Sequence, residues 1–144
     1  MPREACLSKL TANDLKALDA VGEVRRYATG SVIVNEGDSV DELRILEAGK
    51  LRVGRSIQQS MLTEFTGPLG PGNAVSELSF LDGGGASATL IADGDVALFV
   101  VPRATVDQMI DDDPAFAGRL YLSLFIELAR KLRATNQRVV PTEP

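Results

Sequence analysis

From Glu23 to Arg103 the chain breaks into short apolar runs with glycines between them, and no other feature narrows its fold so far. The runs are Val32–Val34, Leu43–Leu46, Leu51–Val53, Met61–Phe65, Ala88–Ala92 and Val96–Val101, punctuated by Gly30, Gly37-Asp38, Gly49 and Gly94-Asp95. Each run has the length of a strand, and the breaks supply turn residues. Several short strands at close spacing predict a sandwich or a closed barrel over residues 23–103. No stretch between them can hold the helical crossover of a parallel α/β sheet.

Helical signals flank this region. Thr11 and Asp14 have the spacing of a capping box and Leu10 and Leu15 that of a hydrophobic staple, while Gly22 can close the helix in a left-handed conformation, so the pattern predicts a helix over 12–21. After the strands, 104–138 is read as helical. Ala104–Ile110 forms one or two turns, and Asp113 then caps a long helix with Pro114 at its first position. That helix carries Phe116, Leu120, Leu124, Leu128 and Leu132 in an i, i+4 series flanked by Tyr121, Phe125 and Ala129. At 1.5 Å per residue it runs nearly 40 Å, longer than a small barrel is wide, so part of its apolar stripe is expected to need a partner. The tail, 139–144, is read as disordered, and residues 1–144 as a single domain, since 144 residues suffice for one core.

The chain has no histidine and one cysteine. Ser-His-Asp and Cys-His catalysis are thereby excluded, and no zinc site of imidazole or thiolate ligands can form. Asp111-Asp112-Asp113 is the densest acid cluster, but Pro114 behind it marks a helix start better than a catalytic site. We therefore expect no enzyme, no metal and no cofactor. The N-terminus has no apolar signal-peptide core and no stretch is long enough to span a bilayer, so a cytoplasmic location is expected. Cys6 is read as a small apolar residue near a helix start. A net charge of −5 argues against a broad footprint on nucleic acid or anionic membrane. No Lys or Arg occurs between Arg55 and Arg103, whereas Arg130, Lys131, Arg133 and Arg138 cluster near the end. That cluster is read as complementing a helix dipole and keeping an exposed face soluble.

Two blocks then stand out. Gly30-Ser-Val-Ile-Val-Asn-Glu-Gly-Asp38, followed by Leu43–Val53, resembles the first half of the cyclic-nucleotide-binding domain of the catabolite activator family. Leu69–Thr89, which contains Ser76-Glu77-Leu78-Ser79 and Gly85-Ala86-Ser87-Ala88, resembles that family's phosphate-binding cassette. With the flanking helices the resemblance covers about residues 7–138. It implies a mainly β jelly-roll (double-stranded β-helix) barrel with a short N-terminal and a long C-terminal helix. It also implies a cyclic nucleotide, cAMP or cGMP, as ligand, and a binding set of Ser76, Glu77, Leu78, Ser79, Ala86, Ser87 and Ala88. Leu78 and Ser79 would offer backbone N–H groups to the cyclic phosphate, and Ser87 a hydroxyl. Glu77 would accept from the ribose 2′-hydroxyl, or else is an exposed acid gaining from the helix dipole.

The cassette departs from the family pattern twice. Ser76 stands where the family has glycine before the glutamate, and Gly85-Ala86 where it has a proline followed by an arginine. Hydrogen bonds to charged groups contribute about 1.5–3 kcal/mol, so the missing guanidinium is expected to lower affinity at least tenfold, and Ala86→Arg to restore it. A substitute cation would have to come from Arg44, Arg52 or the arginines of the C-terminal helix. Two functions fit: a stand-alone sensor module that binds cyclic nucleotide weakly, and a domain with a degenerate pocket that serves protein–protein association. Either way a homodimer or a partner protein is expected on the C-terminal helix, with Leu128→Glu as the disrupting change. No DNA partner is expected, since the six residues after 138 are too few for a helix-turn-helix.

Overall fold

The computed structural model describes residues 2–58, 61–64 and 68–138, with side chains over 2–55 and 68–136. Phe65 and the tail 139–144 lie outside the described residues. In chain order the elements are α1 (Pro2–Cys6), α2 (Ala12–Val21), β1 (Glu23–Tyr27), β2 (Val32–Val34), β3 (Glu42–Gln58), β4 (Met61–Glu64), β5 (Ala74–Val75), α3 (Glu77–Asp82), β6 (Thr89–Pro102), α4 (Arg103–Asp112) and α5 (Pro114–Arg138). One antiparallel sheet runs in the order β1-β6-β3-β4, with β2 paired to β6 and β5 to β3. Among the described residues nothing pairs β1 with β4, so the sheet is not closed, but the antiparallel core with flanking helices is the mainly β jelly-roll architecture expected. Among the described residues no helix is long and apolar enough to cross a membrane.

The glycines bend strands more than they separate them. The runs at Leu43–Leu46 and Leu51–Val53 belong to one strand, β3, and those at 89–92 and 96–101 to one strand, β6, which Ala88 immediately precedes. The pairing of β3 with β6 slips on either side of Ala48, next to Gly49, whose φ is +89°. A side chain on Gly49 would meet the Asp95 carbonyl at 2.3 Å, so only glycine lets the two bent strands approach so closely. Three elements give no apolar signature and were not expected. The first is α1, and β5 is only two residues long. β1 reads Glu-Val-Arg-Arg-Tyr at a sheet edge, where every residue keeps some exposure.

Both faces of the sheet's centre are buried. Leu98 and Val100 face an inner cluster with Leu46, Leu51, Val53 and Leu90, while Phe99 and Val101 pack with Leu18, Leu43, Phe116, Leu120 and Leu124 under the helices. A strand covered on both sides reads as a continuous apolar run, as 96–101 does.

The capping box is present: Thr11 Oγ1 accepts from the Asp14 N–H at 3.1 Å, and Asp14 Oδ2 from the Thr11 N–H at 2.9 Å. Gly22 does not close α2 in a left-handed conformation, since its φ is −88°. It is glycine for a different reason: the Phe99 ring lies 2.2 Å from where its Cβ would be. Asp113 stands before Pro114 as expected, but its carboxylate accepts from Arg119 Nη2 at 2.9 Å.

Arg119 also clasps α5 to α2, its Nε and Nη2 donating to Asp14 at 2.7 and 2.9 Å. These bonds hold the Asp14 carboxyl below its usual range. A depressed folded-state value stabilises the protein above the unfolded carboxyl value, about 3.9, and that contribution disappears as pH falls through the folded value. Asp14→Asn is therefore expected to lower Tm at pH 7, with the gap to the natural chain narrowing by pH 3 in thermal scans.

Candidate functional site

A cavity of about 520 Å³ lies between the segment around α3 and the C-terminal half of α5. That volume suits a small-molecule ligand. Its apolar wall comes from Val53, Leu69, Leu90, Leu128 and Ala134. Of the seven residues expected to bind ligand, Ser76, Glu77, Leu78, Ser79, Ser87 and Ala88 line it, and Ala86 does not.

The chain enters α3 through Ser76 at φ 58° and ψ 34°, the one non-glycine residue with positive φ among the described residues. This left-handed turn explains why a glycine suits the position. Such a conformation costs a non-glycine residue about 1–2 kcal/mol, offset in part by the greater freedom of glycine in the unfolded chain. Ser76→Gly is expected to stabilise by about 0.5–1 kcal/mol, seen as a Tm increase of roughly 2–4 °C.

Ser79 has its hydroxyl committed: it accepts from the Val40 N–H at 3.1 Å and donates to the Gly84 carbonyl at 2.5 Å. Only its backbone remains for a ligand. Gly85 packs against the Gly37 backbone, and a Cβ there would sit 2.6 Å from the Gly37 carbonyl oxygen, so this loop has no room for the family's proline. Ala86 donates its N–H to the Asp38 carbonyl at 2.7 Å and accepts from the Gly37 N–H at 2.8 Å. Its side chain, 5% exposed, packs in the inner cluster beside the cavity wall.

Glu77 is 7% exposed, which removes the reading of it as an exposed helix-start acid. Its Oε2 accepts from Lys131 Nζ at 2.7 Å, and the same ammonium donates to the Ala74 carbonyl. Lys131, assigned from the sequence to a solvated cluster, is thus turned inward, and Arg130 beside it also lines the cavity. Neither Arg44 nor Arg52 reaches the lining, and Arg44 pairs with Glu42 at 2.9 Å. Arg133 is exposed and outside the lining, while the Arg138 side chain lies outside the described residues.

Two more lining residues escaped the sequence reading. Asn73 Nδ2 donates to Glu127 Oε1 at 3.0 Å. Glu127 is 1% exposed, and its Oε2 has no hydrogen-bond donor, though Arg130 Nη1 stands 3.4 Å away. Burial, followed by the charge of Glu127, pushes the Cys6 thiol up to about 12, so this cysteine is a neutral packing group at the end of α1. The available signal for Glu127 and Lys131 was their i, i+4 spacing, which puts an acid and a base on one helical face.

The family described as "Cyclic nucleotide-binding domain" matches residues 24–113, more than half of the chain. Among solved structures, a cyclic nucleotide-binding domain from Methylobacillus flagellatus has a TM-score of 0.82 at 19% identity, covering 97% of this chain and 85% of that one. The catabolite activator protein of Thermus thermophilus has a TM-score of 0.73 at 26% identity, over 92% of this chain and 60% of that one. Glutaminase 1 of Bradyrhizobium diazoefficiens is 27% identical over 139 residues, 96% of this chain but 22% of that protein. The chain therefore spans under a quarter of the glutaminase it resembles.

Proposed function

The chain belongs to the cyclic nucleotide-binding domain family, and we propose that it is a sensor module whose cavity takes cAMP or cGMP weakly and whose α5 carries the bound state to a second copy. The family is regulatory and not catalytic, and we extend that to this chain: its cavity holds a ligand and transforms nothing. One observation carries the proposal. The cavity has the Ser76–Ser79 segment on one side and α5 on the other, bridged by the Glu77–Lys131 bond, so a ligand filling it touches both. Occupancy would then bias where α5 sits, which is how binding energy becomes a signal.

Weakness follows from Ala86. A phosphodiester held by backbone donors and Ser87 lacks the bidentate guanidinium that would neutralise it. Calorimetric titration with cAMP and with cGMP tests this, and we expect saturable heat with at least one of them, at an affinity at least tenfold below that of Ala86→Arg. A second reading rests on the exposed apolar face of α5, where Phe125 is 64% exposed: a domain whose pocket stays empty and whose helix alone associates. Absence of heat with both nucleotides, with dimerisation intact, would favour it.

A further inference from the structure

Resting on the reading of the cavity as the site of an anionic ligand, we propose that Lys131 supplies the positive charge the cassette lacks, so that the ligand's phosphate is held from α5. The charge inventory leaves few alternatives. The chain has no Lys or Arg between Arg55 and Arg103, and the cavity lining contains two cations, Arg130 and Lys131, both on α5. The Arg130 side chain is 60% exposed and stands beside Glu127. Lys131 is 22% exposed and reaches Glu77 across the cavity at 2.7 Å. An ammonium has three N–H donors, and Glu77 and the Ala74 carbonyl account for two.

Glu77 and the backbone at Ala74 thus hold the ammonium at the edge of the cassette, on the cavity that Ser76 and Ser79 also line. The stem is flexible and the charge compact, so Lys131 can turn to share its third donor with a phosphate oxygen without releasing Glu77. The arrangement differs mechanically from a cassette arginine. A cation anchored in the cassette loop holds the ligand to that loop, whereas one on α5 ties the ligand's charge to the helix itself. Lys131 is next in sequence to Leu132, which is exposed and also lines the cavity. A ligand's charge would therefore act one residue away from the surface where α5 meets a partner.

The test is calorimetric titration of cAMP, and of adenosine as the same ligand without its phosphate, into the natural chain, Lys131→Met, Lys131→Arg, Ala86→Arg and the double variant Lys131→Met/Ala86→Arg. We expect Lys131→Met to weaken cAMP at least tenfold while leaving adenosine within about threefold, which loss of packing alone would not do. Lys131→Arg should stay within about threefold of the natural chain, keeping the test valid should Lys131→Met fold poorly. The double variant should regain affinity, the charge now coming from the cassette. Equal cAMP affinity in the natural chain and Lys131→Met overturns the assignment, as does a parallel loss of both ligands. No cAMP binding by any of the five proteins, Ala86→Arg included, instead overturns the sensing reading on which the assignment rests.

Discussion

Leu122→Glu/Phe125→Glu is expected to leave the protein monomeric at tens of micromolar, where the natural chain should sediment as a dimer. Tyr121, Leu122, Phe125 and Leu132 are exposed on α5, although Phe116, Leu120 and Leu124 of the same helix are buried. The helix thus has two apolar faces, one spent on the core and one uncovered. Leu122, Phe125, Ala129 and Leu132 are spaced by three, four and three residues, the alternation of a coiled-coil seam. A second copy of α5 would complete that seam with the same residues, as a two-fold interface requires. Burying each leucine or phenylalanine is worth about 1.5–3 kcal/mol. Two glutamates per copy remove two of these and set like charges across the axis, so a loss of more than a hundredfold in association is expected. Leu128→Glu, which the i, i+4 series suggested, falls on a residue that lines the cavity, as Leu132 also does, so that change should alter ligand binding as well as association. Equilibrium sedimentation decides it, and a monomeric natural chain at tens of micromolar would sink the proposal.

What could be read from the sequence was local. Thr11, Asp14 and Leu15 lie within one turn of each other, so the start of α2 needed no knowledge of the rest of the molecule. Gly49 and Gly94 were read as breaks between strands because a bulge and a turn use the same residue. Only the partner strand tells them apart, and β3 meets β6 across dozens of residues. Glu77 and Ser87 were found because the cassette is contiguous in sequence. Lys131 and Glu127 were not, since they reach Glu77 and Asn73 from 54 residues away. The i, i+4 series on α5 could not rank two apolar faces on one helix, and the run of cations at its end read as a solvated cluster, so neither signal turned Lys131 inward. Ala86 follows Gly85 in the contiguous cassette, but its side chain packs in the inner cluster and does not line the cavity.

That placement gives Ala86→Arg a double signature. Ala86 is 5% exposed and packs among Val40, Ala88 and Leu90, so a guanidinium starting there must pass through apolar surroundings before it reaches the cavity. Without an anion it would be a partly buried charge lacking a partner, and the ligand-free protein is expected to lose stability. With a phosphodiester in the cavity the same group finds a bidentate partner, and cAMP affinity should rise at least tenfold over the natural chain. Thermal scans would then show a lower Tm without ligand and a larger increase with it, because ligand stabilises the folded state by RT ln(1 + [L]/Kd). Flexibility in Gly83-Gly84-Gly85 does not stand in the way. Asp82 Oδ1 accepts from the Gly84 N–H at 2.8 Å, the Ser79 hydroxyl donates to the Gly84 carbonyl, and Ala86 is bonded on both sides to Gly37 and Asp38. The loop is already ordered, so little backbone entropy remains to be lost when the arginine engages its ligand. A folded Ala86→Arg protein with unchanged affinity would mean that the side chain cannot leave the inner cluster. Tight binding by the natural chain would mean that α5 already supplies all the charge the phosphate requires.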